Sequence, residues 1–212
     1  MRRFGMDPQE GEKAVMRYIE TALTDDESGI PKPACVVMEA IQGEGGCGAM
    51  SPYALKEIRR ITEERDIPLV LDEVQAGFCR SGDFFAYEHG GIVPDVVCLS
   101  KAVGGSLPMA VIAFQEHLNK WAPAAHTGTF RGNGLAFATG SASLEYMKEH
   151  KLWEHATKRG EQLQKFFTEL QKETKSIGDV RGRGLIQGIE LVDHSKLKCF
   201  TIRFKITLFI IP

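Results

Sequence analysis

Two short apolar runs, each closing on a single ionisable residue, constrain this 212-residue chain more than any other feature. Pro68-Leu69-Val70-Leu71 runs into Asp72, and Val96-Val97-Cys98-Leu99-Ser100 runs into Lys101. Apolar runs of this length, rich in β-branched residues, suit parallel strands buried on both faces. The carboxyl ends of such strands open onto the ligand crevice of an α/β sheet. A carboxylate and an amine delivered to that rim are costly to bury unless something there pairs with them.

The rest of the chain supplies the rhythm that a parallel sheet needs. Asp7-Pro8 is a helix start, with Val15, Tyr18, Ile19 and Leu23 on one face behind it. The stretch DDESGIPKP breaks that pattern and reads as a surface loop. Cys35-Val36-Val37-Met38 reads as a buried strand ending at Glu39, and the glycine-rich segment 43–46 as a loop. Ser51-Pro52 has the form of a helix N-terminus, with Leu55, Ile58 and Ile61 as its inner face. Strand and helix alternate onward through Asp72 and Lys101, which predicts an α/β fold with a mostly parallel sheet. MAVIAF (109–114) reads as a further strand, and helical sequence resumes from about Leu135. Leu152, Leu163, Phe166, Phe167 and Leu170 predict a long amphipathic helix. RGRGLIQGIELV then reads as one strand opening a smaller domain. These readings divide the chain into a large domain over 1–148, the start of a small α/β domain over 149–193, and a tail over 194–212. The tail is basic, β-branched and aromatic, without acidic residues or turn signals; the expectation is that it does not belong to the fold, with an ordinary edge strand as the alternative.

Composition excludes several function classes. Charged residues make up 25% and hydrophobic ones 43%, as in ordinary globular proteins, and the net charge of -2 gives no reason to expect nucleic acid or an anionic membrane. Five cysteines without a CxxC pair argue for a reducing compartment and against a zinc site, so no metal is expected. The arginines at the N-terminus are not backed by an apolar core, and no stretch is long enough to span a bilayer. The expected location is cytoplasmic.

A cofactor carrying an aldehyde and a protonatable ring nitrogen would satisfy both Lys101 and Asp72, and pyridoxal phosphate is such a cofactor. The amine must be unprotonated to form a Schiff base, which burial promotes. A carboxylate at the ring nitrogen holds the proton that keeps the ring an electron sink. Asp72 alone could equally cap a helix or ligate magnesium, and a phosphoryl-transfer site built on Asp72 and Asp95 is a rival, although the sequence has no phosphate loop of the GxxxxGK[ST] type.

VVMEAIQGEGG, VLDEVQAGFCRSG, LSKAVGGSLP and HTGTFRGN follow in the order and spacing of one family. The chain resembles the class III pyridoxal-phosphate aminotransferases over about residues 5–193, and its wording is most similar to their diaminobutyrate–2-oxoglutarate branch. The resemblance implies the fold type I transferase architecture, a homodimer with composite sites, and transfer of an amino group from 2,4-diaminobutyrate or another ω-amino acid to 2-oxoglutarate. The 4-aminobutyrate and ornithine enzymes are the alternative specificities. It implies that Lys101 holds the cofactor and shuttles a proton, and that Asp72 meets the pyridine nitrogen. Val74 would pack on the ring, Gln75 approach the phenolic oxygen, and Glu39 lie near the cofactor. Thr129 would reach the phosphate of the neighbouring subunit's cofactor, and Glu44 would act on the substrate side. Val74 as plain core packing, Thr129 as a loop brace and Glu39 as a buried network member are the competing readings. His126 reads as a loop brace, and Cys79 and Cys98 as small buried residues. Ala40 stands where the family commonly has proline. No segment resembles the family's phosphate-cradling loop, its ring-stacking aromatic residue, or the arginine that faces Glu44. The expectation is the lysine half of a site without its phosphate half, and a catalytically inactive remnant is the alternative for the chain by itself.

Overall fold

The computed structural model describes residues 6–128 and 131–192 in full, and 204–208 as strand backbone. Helix α1 (Pro8–Thr24) starts where expected, with the Asp7 carboxylate accepting from the Gln9 amide at 3.0 Å. Helix α2 (Pro52–Glu64) starts at Ser51, whose hydroxyl oxygen accepts from the Ala54 amide at 3.1 Å. The same hydroxyl donates to Glu12 at 2.6 Å, so the cap of one helix is tied to the flank of the other. Leu55, Ile58 and Ile61 of α2 are buried against the sheet, as their spacing predicts.

Four strands form the main sheet in the order β1 (Val36–Met38), β2 (Leu69–Asp72), β3 (Val96–Leu99) and β4 (Val111–Phe114). The first three run parallel, and β4 returns antiparallel to β3. Only about seven residues separate Lys101 from MAVIAF, too few for the crossover that a parallel neighbour requires. Leu69 and Leu71 of β2 lie fully buried in a core with Ile41, Leu55 and Ile58.

Helices α3 (Gly134–Glu149) and α4 (Leu152–Glu173) follow, and α4 packs Phe167 against Ile177 and Ile189 of a second sheet. RGRGLIQGIELV is not one strand. It is the heart of a hairpin between β5 (Ile177–Arg183) and β6 (Ile186–Leu191). The reversal falls at Gly184, which has φ +56 and so takes a left-handed turn conformation that favours glycine. The expected tail includes a described strand: β7 (Phe204–Leu208) lies antiparallel to β6, pairing Leu191 with Phe204 and Gln187 with Leu208.

The hairpin turn sits close against α4. A Cβ on Gly160 would overlap the carbonyl oxygen of Gly184. Gly160→Ala is therefore expected to destabilise the chain by about 2 kcal/mol, even though alanine gains roughly 1 kcal/mol over glycine within a helix. Urea denaturation measures it; a rise in stability would show that helix and hairpin are not in contact.

Candidate functional site

Because β1, β2 and β3 are parallel, their carboxyl ends open on one side and deliver Glu39, Asp72 and Lys101 there. Asp72 pairs in register with Cys98, and the Glu73 amide donates to the Cys98 carbonyl at 3.0 Å. Lys101 follows three residues beyond that partner. Neighbouring strands lie about 4.8 Å apart, so the Asp72 and Lys101 backbones share one rim of the sheet.

Asp72 bends the chain as it leaves β2. Its Oδ1 accepts from the Val74 amide at 2.9 Å, while Oδ2 has no hydrogen-bond partner among the described residues. Val74 is half-buried in the following turn. Lys101 opens a short 3-10 turn (Lys101–Gly104) with φ +53, a left-handed backbone that is unusual for a residue with a side chain. Such conformations cost about 1–3 kcal/mol and persist where the surroundings enforce them. Here the turn is enforced from both ends. Ser100 Oγ donates to the Met109 carbonyl at 2.9 Å, and Thr139 Oγ1 of α3 donates to the Gly104 carbonyl at 2.8 Å. Lys101 is exposed, not buried as the Schiff-base chemistry leads one to expect.

The glycine-rich segment forms a loop closed by a bridge between Ile41 and Ala49. It carries Glu39 at its base, whose Oε1 accepts from the Gly43 amide at 3.1 Å, and Glu44 at its tip. Gln75 reaches across from β2, its Nε2 donating to Glu44 Oε1 at 3.5 Å. Its Oε1 is buried without a hydrogen-bond partner among the described residues. A Cβ on Gly43 would collide with this amide, so glycine is what lets loop and side chain approach. The structure thus brings Gln75 to Glu44, while Glu39, at the base of the same loop, lines one cavity with Asp72. Thr129 lies outside the described residues.

Sequence reasoning missed Glu73. It is fully buried, its Oε2 accepting from the Ala86 amide at 2.9 Å and its Oε1 from the Tyr87 amide at 3.0 Å. Burial pushes its carboxyl up to about 7, against the pull of those two amides. The available signal was the acidic pair itself: alternation sends neighbours to opposite sides, so one acid had to face inward.

Asp95 belongs elsewhere. It precedes β3, accepting from Arg59 at 2.6 Å and from the Leu69 amide at 2.8 Å, at the opposite ends of the strands from Asp72. Three residues of strand separate the two levels, about 10 Å. No group of three or more metal-ligating side chains occurs among the described residues, and the two-aspartate magnesium reading fails on geometry. His126 sits in a loop with its ring near that of Trp121. Cys79 is buried, with its thiol pushed up to about 11 by burial; Cys98 is only half-buried.

A left-handed lysine and a half-satisfied aspartate on one rim, backed by an amide with unused capacity, define a site for a planar cofactor with polar edges. The chain matches the model of the family described as aminotransferase class-III over residues 4–207. It belongs to that family. It is 52% identical over 195 residues to the diaminobutyrate–2-oxoglutarate aminotransferase of Haemophilus influenzae, covering 92% of this chain and 43% of that protein. The enzyme of the same name from Rhizobium meliloti is 47% identical, with 92% of this chain and 41% of the relative covered. Among solved structures, the ornithine aminotransferase of Toxoplasma gondii, with PLP in partial occupancy at its active site, superposes with a TM-score of 0.76. It is 32% identical, and the match covers 83% of this chain and 41% of that one. This chain therefore spans less than half the length of the relatives it matches.

Proposed function

We propose that this chain carries the lysine-and-aspartate half of a pyridoxal-phosphate transaminase site. The amino donor is 2,4-diaminobutyrate and the acceptor 2-oxoglutarate. The observation that carries the reading is the placement of Asp72 and Lys101 at the carboxyl ends of adjacent, register-paired parallel strands. Oδ2 of Asp72, without a hydrogen-bond partner among the described residues, is the fit test that the group passes, since it can accept the proton of a pyridinium nitrogen. When bound, the cofactor supplies a carbonyl carbon that takes up amines and a ring that accepts electron density.

The residues do the rest. Lys101 would hold the cofactor through its ε-amine, and the same amine would serve to move a proton at the substrate Cα. Asp72 keeps the ring nitrogen protonated through a charge-assisted hydrogen bond. Gln75 would serve the phenolic oxygen through its amide N–H and Val74 would pack on the ring, while Glu39 braces the loop through the Gly43 amide. Glu44 meets the substrate. Thr129 reaches the phosphate of a second subunit, which makes the working assembly a homodimer with composite sites. The exposed Leu135 and Tyr146, which lie about 20° apart around α3, give a second copy apolar side chains to cover. The free thiols among the described residues support a cytoplasmic location. Donor choice rests on the names of the two relatives above; ornithine or 4-aminobutyrate is the alternative.

Borohydride reduction after adding pyridoxal phosphate tests the proposal. The pyridoxyl mass is expected on the peptide containing Lys101 and is expected to vanish in Lys101→Ala. Label spread over other lysines, or none, defeats it. Amino transfer from 2,4-diaminobutyrate in the same preparation separates an active chain from one that binds without turning over.

A further inference from the structure

The loop bearing Glu39 and Glu44 is held partly from far away in the chain. At its base, the Gln42 amide donates to the Gly48 carbonyl at 3.0 Å, and the Gly46 amide donates to the Gly43 carbonyl at 3.1 Å. At its tip, the carbonyl of Gly46 accepts from Nε of Arg181 at 2.6 Å, across 135 positions of sequence. Arg181 stands on β5, opposite Gly188 of β6. Its Nη1 donates to Asp179 at 2.6 Å and to Glu190 at 3.3 Å. One guanidinium therefore joins β5, β6 and the loop. The contact is close: a Cβ on Gly188 would come within 3.0 Å of the Cβ of Cys47. Burial works against the arginine's charge, and the two carboxylates outweigh it.

We infer that Arg181 is a positioning residue, which fixes the loop Gly43–Gly48, and through it Glu44 and Gln75, in a place set by the smaller sheet. Displacement of β5 and β6 then moves the group that meets the substrate without any of their own residues entering the crevice. The inference deepens the transaminase reading and rests on it for the identity of the site. Arginine suits the task because its donors lie at different points along a rigid planar fork. Nε serves the loop carbonyl while Nη1 serves the carboxylates. A lysine gathers all its donors at one tip and can satisfy the carboxylates or the carbonyl in this geometry, not both.

Amide hydrogen exchange on the full 212-residue chain tests this, read at Gln42, Gly43 and Gly46, whose amides are bonded within the loop. Arg181→Ala is expected to lower the thermal midpoint and speed exchange at all three. Arg181→Lys is expected to restore the midpoint, since an ammonium still pairs with Asp179 and Glu190, yet leave exchange at the three amides at least tenfold faster than in the unsubstituted chain. A purely structural role predicts the reverse, with midpoint and loop recovering together, and that result overturns the inference. So does loop exchange that neither variant changes. Should the alanine variant not fold, the lysine variant alone decides. Pyridoxyl capture at Lys101 is scored separately on the unsubstituted chain. Its absence would defeat the transaminase reading while leaving the loop result to stand or fall by exchange.

Discussion

Between pH 4.5 and about 7 the folded chain is expected to lose about 3 kcal/mol of stability through Glu73 alone. The sign follows from proton counting. Burial holds the Glu73 carboxyl near 7 in the fold, whereas the unfolded chain ionises it at its ordinary value of 4.5. In that window the folded state keeps a proton that the unfolded state has released, so unfolding becomes easier as pH rises. Below 4.5 the contribution is fully present, and above about 7 it is gone. The neighbours do not reverse this. Glu88 and Asp72 are like charges that raise the value further, and only the Ala86 and Tyr87 amides oppose it. Denaturant titrations at several pH values, on the native chain and on Glu73→Gln, give the difference directly. The glutamine variant should lack this fall. A difference between the two chains that stays constant across the window would show that Glu73 ionises as an exposed acid does.

Asp95→Ala is expected to cost about 3 kcal/mol or more, while leaving capture of pyridoxal phosphate at Lys101 in place. Arg59 and Asp95 are each only 15% exposed and sit 2.6 Å apart. The same Asp95 oxygen accepts from the Leu69 amide, so it ties α2 to the start of β2. Removing it leaves a guanidinium mostly out of water with Glu63 at 3.9 Å as its nearest remaining acid. Breaking a buried pair from one side is much costlier than the pair's net contribution, because the surviving charge is uncompensated. Asp95→Asn keeps an acceptor for Leu69 but leaves the Arg59 charge uncompensated, so it should cost less than alanine yet still well over about 1 kcal/mol. Urea denaturation of both variants decides it. A loss under 1 kcal/mol for alanine would mean that Arg59 finds water or Glu63 freely. Loss of cofactor capture in a folded Asp95 variant would revive a role for this carboxylate at the site.

The positions of Asp72 and Lys101 at the run ends were legible because each is a local matter. An apolar strand ends where an ionisable residue must leave the core, and both Asp72 and Lys101 mark such ends. The helix starts at Asp7 and Ser51 were legible for the same reason, since a cap reaches only two or three residues ahead. Glu73 was not. Its acceptors find the Ala86 and Tyr87 amides 13 and 14 positions away, and nothing in the local pattern says which turn folds back over β2. The hairpin hidden in RGRGLIQGIELV escaped because periodicity runs straight through a two-residue reversal. Gly184 marks it only once the left-handed backbone is seen.

The sequence by itself determined the helix starts at Asp7 and Ser51, the first three strands and the way they deliver their ends, and which amine and acid stand there. Each of these depends on burial pattern and capping within a few residues. Only the tertiary structure decided that Asp72 aligns with Cys98, that Asp95 lies at the other end of the sheet, that Lys101 adopts a left-handed backbone, and that Arg181 holds the Glu44 loop. The physical reason is that backbone amides and carbonyls are alike at every residue, so a chain does not specify its distant hydrogen-bond partners locally. Packing and register choose them, and the site takes its geometry from that choice.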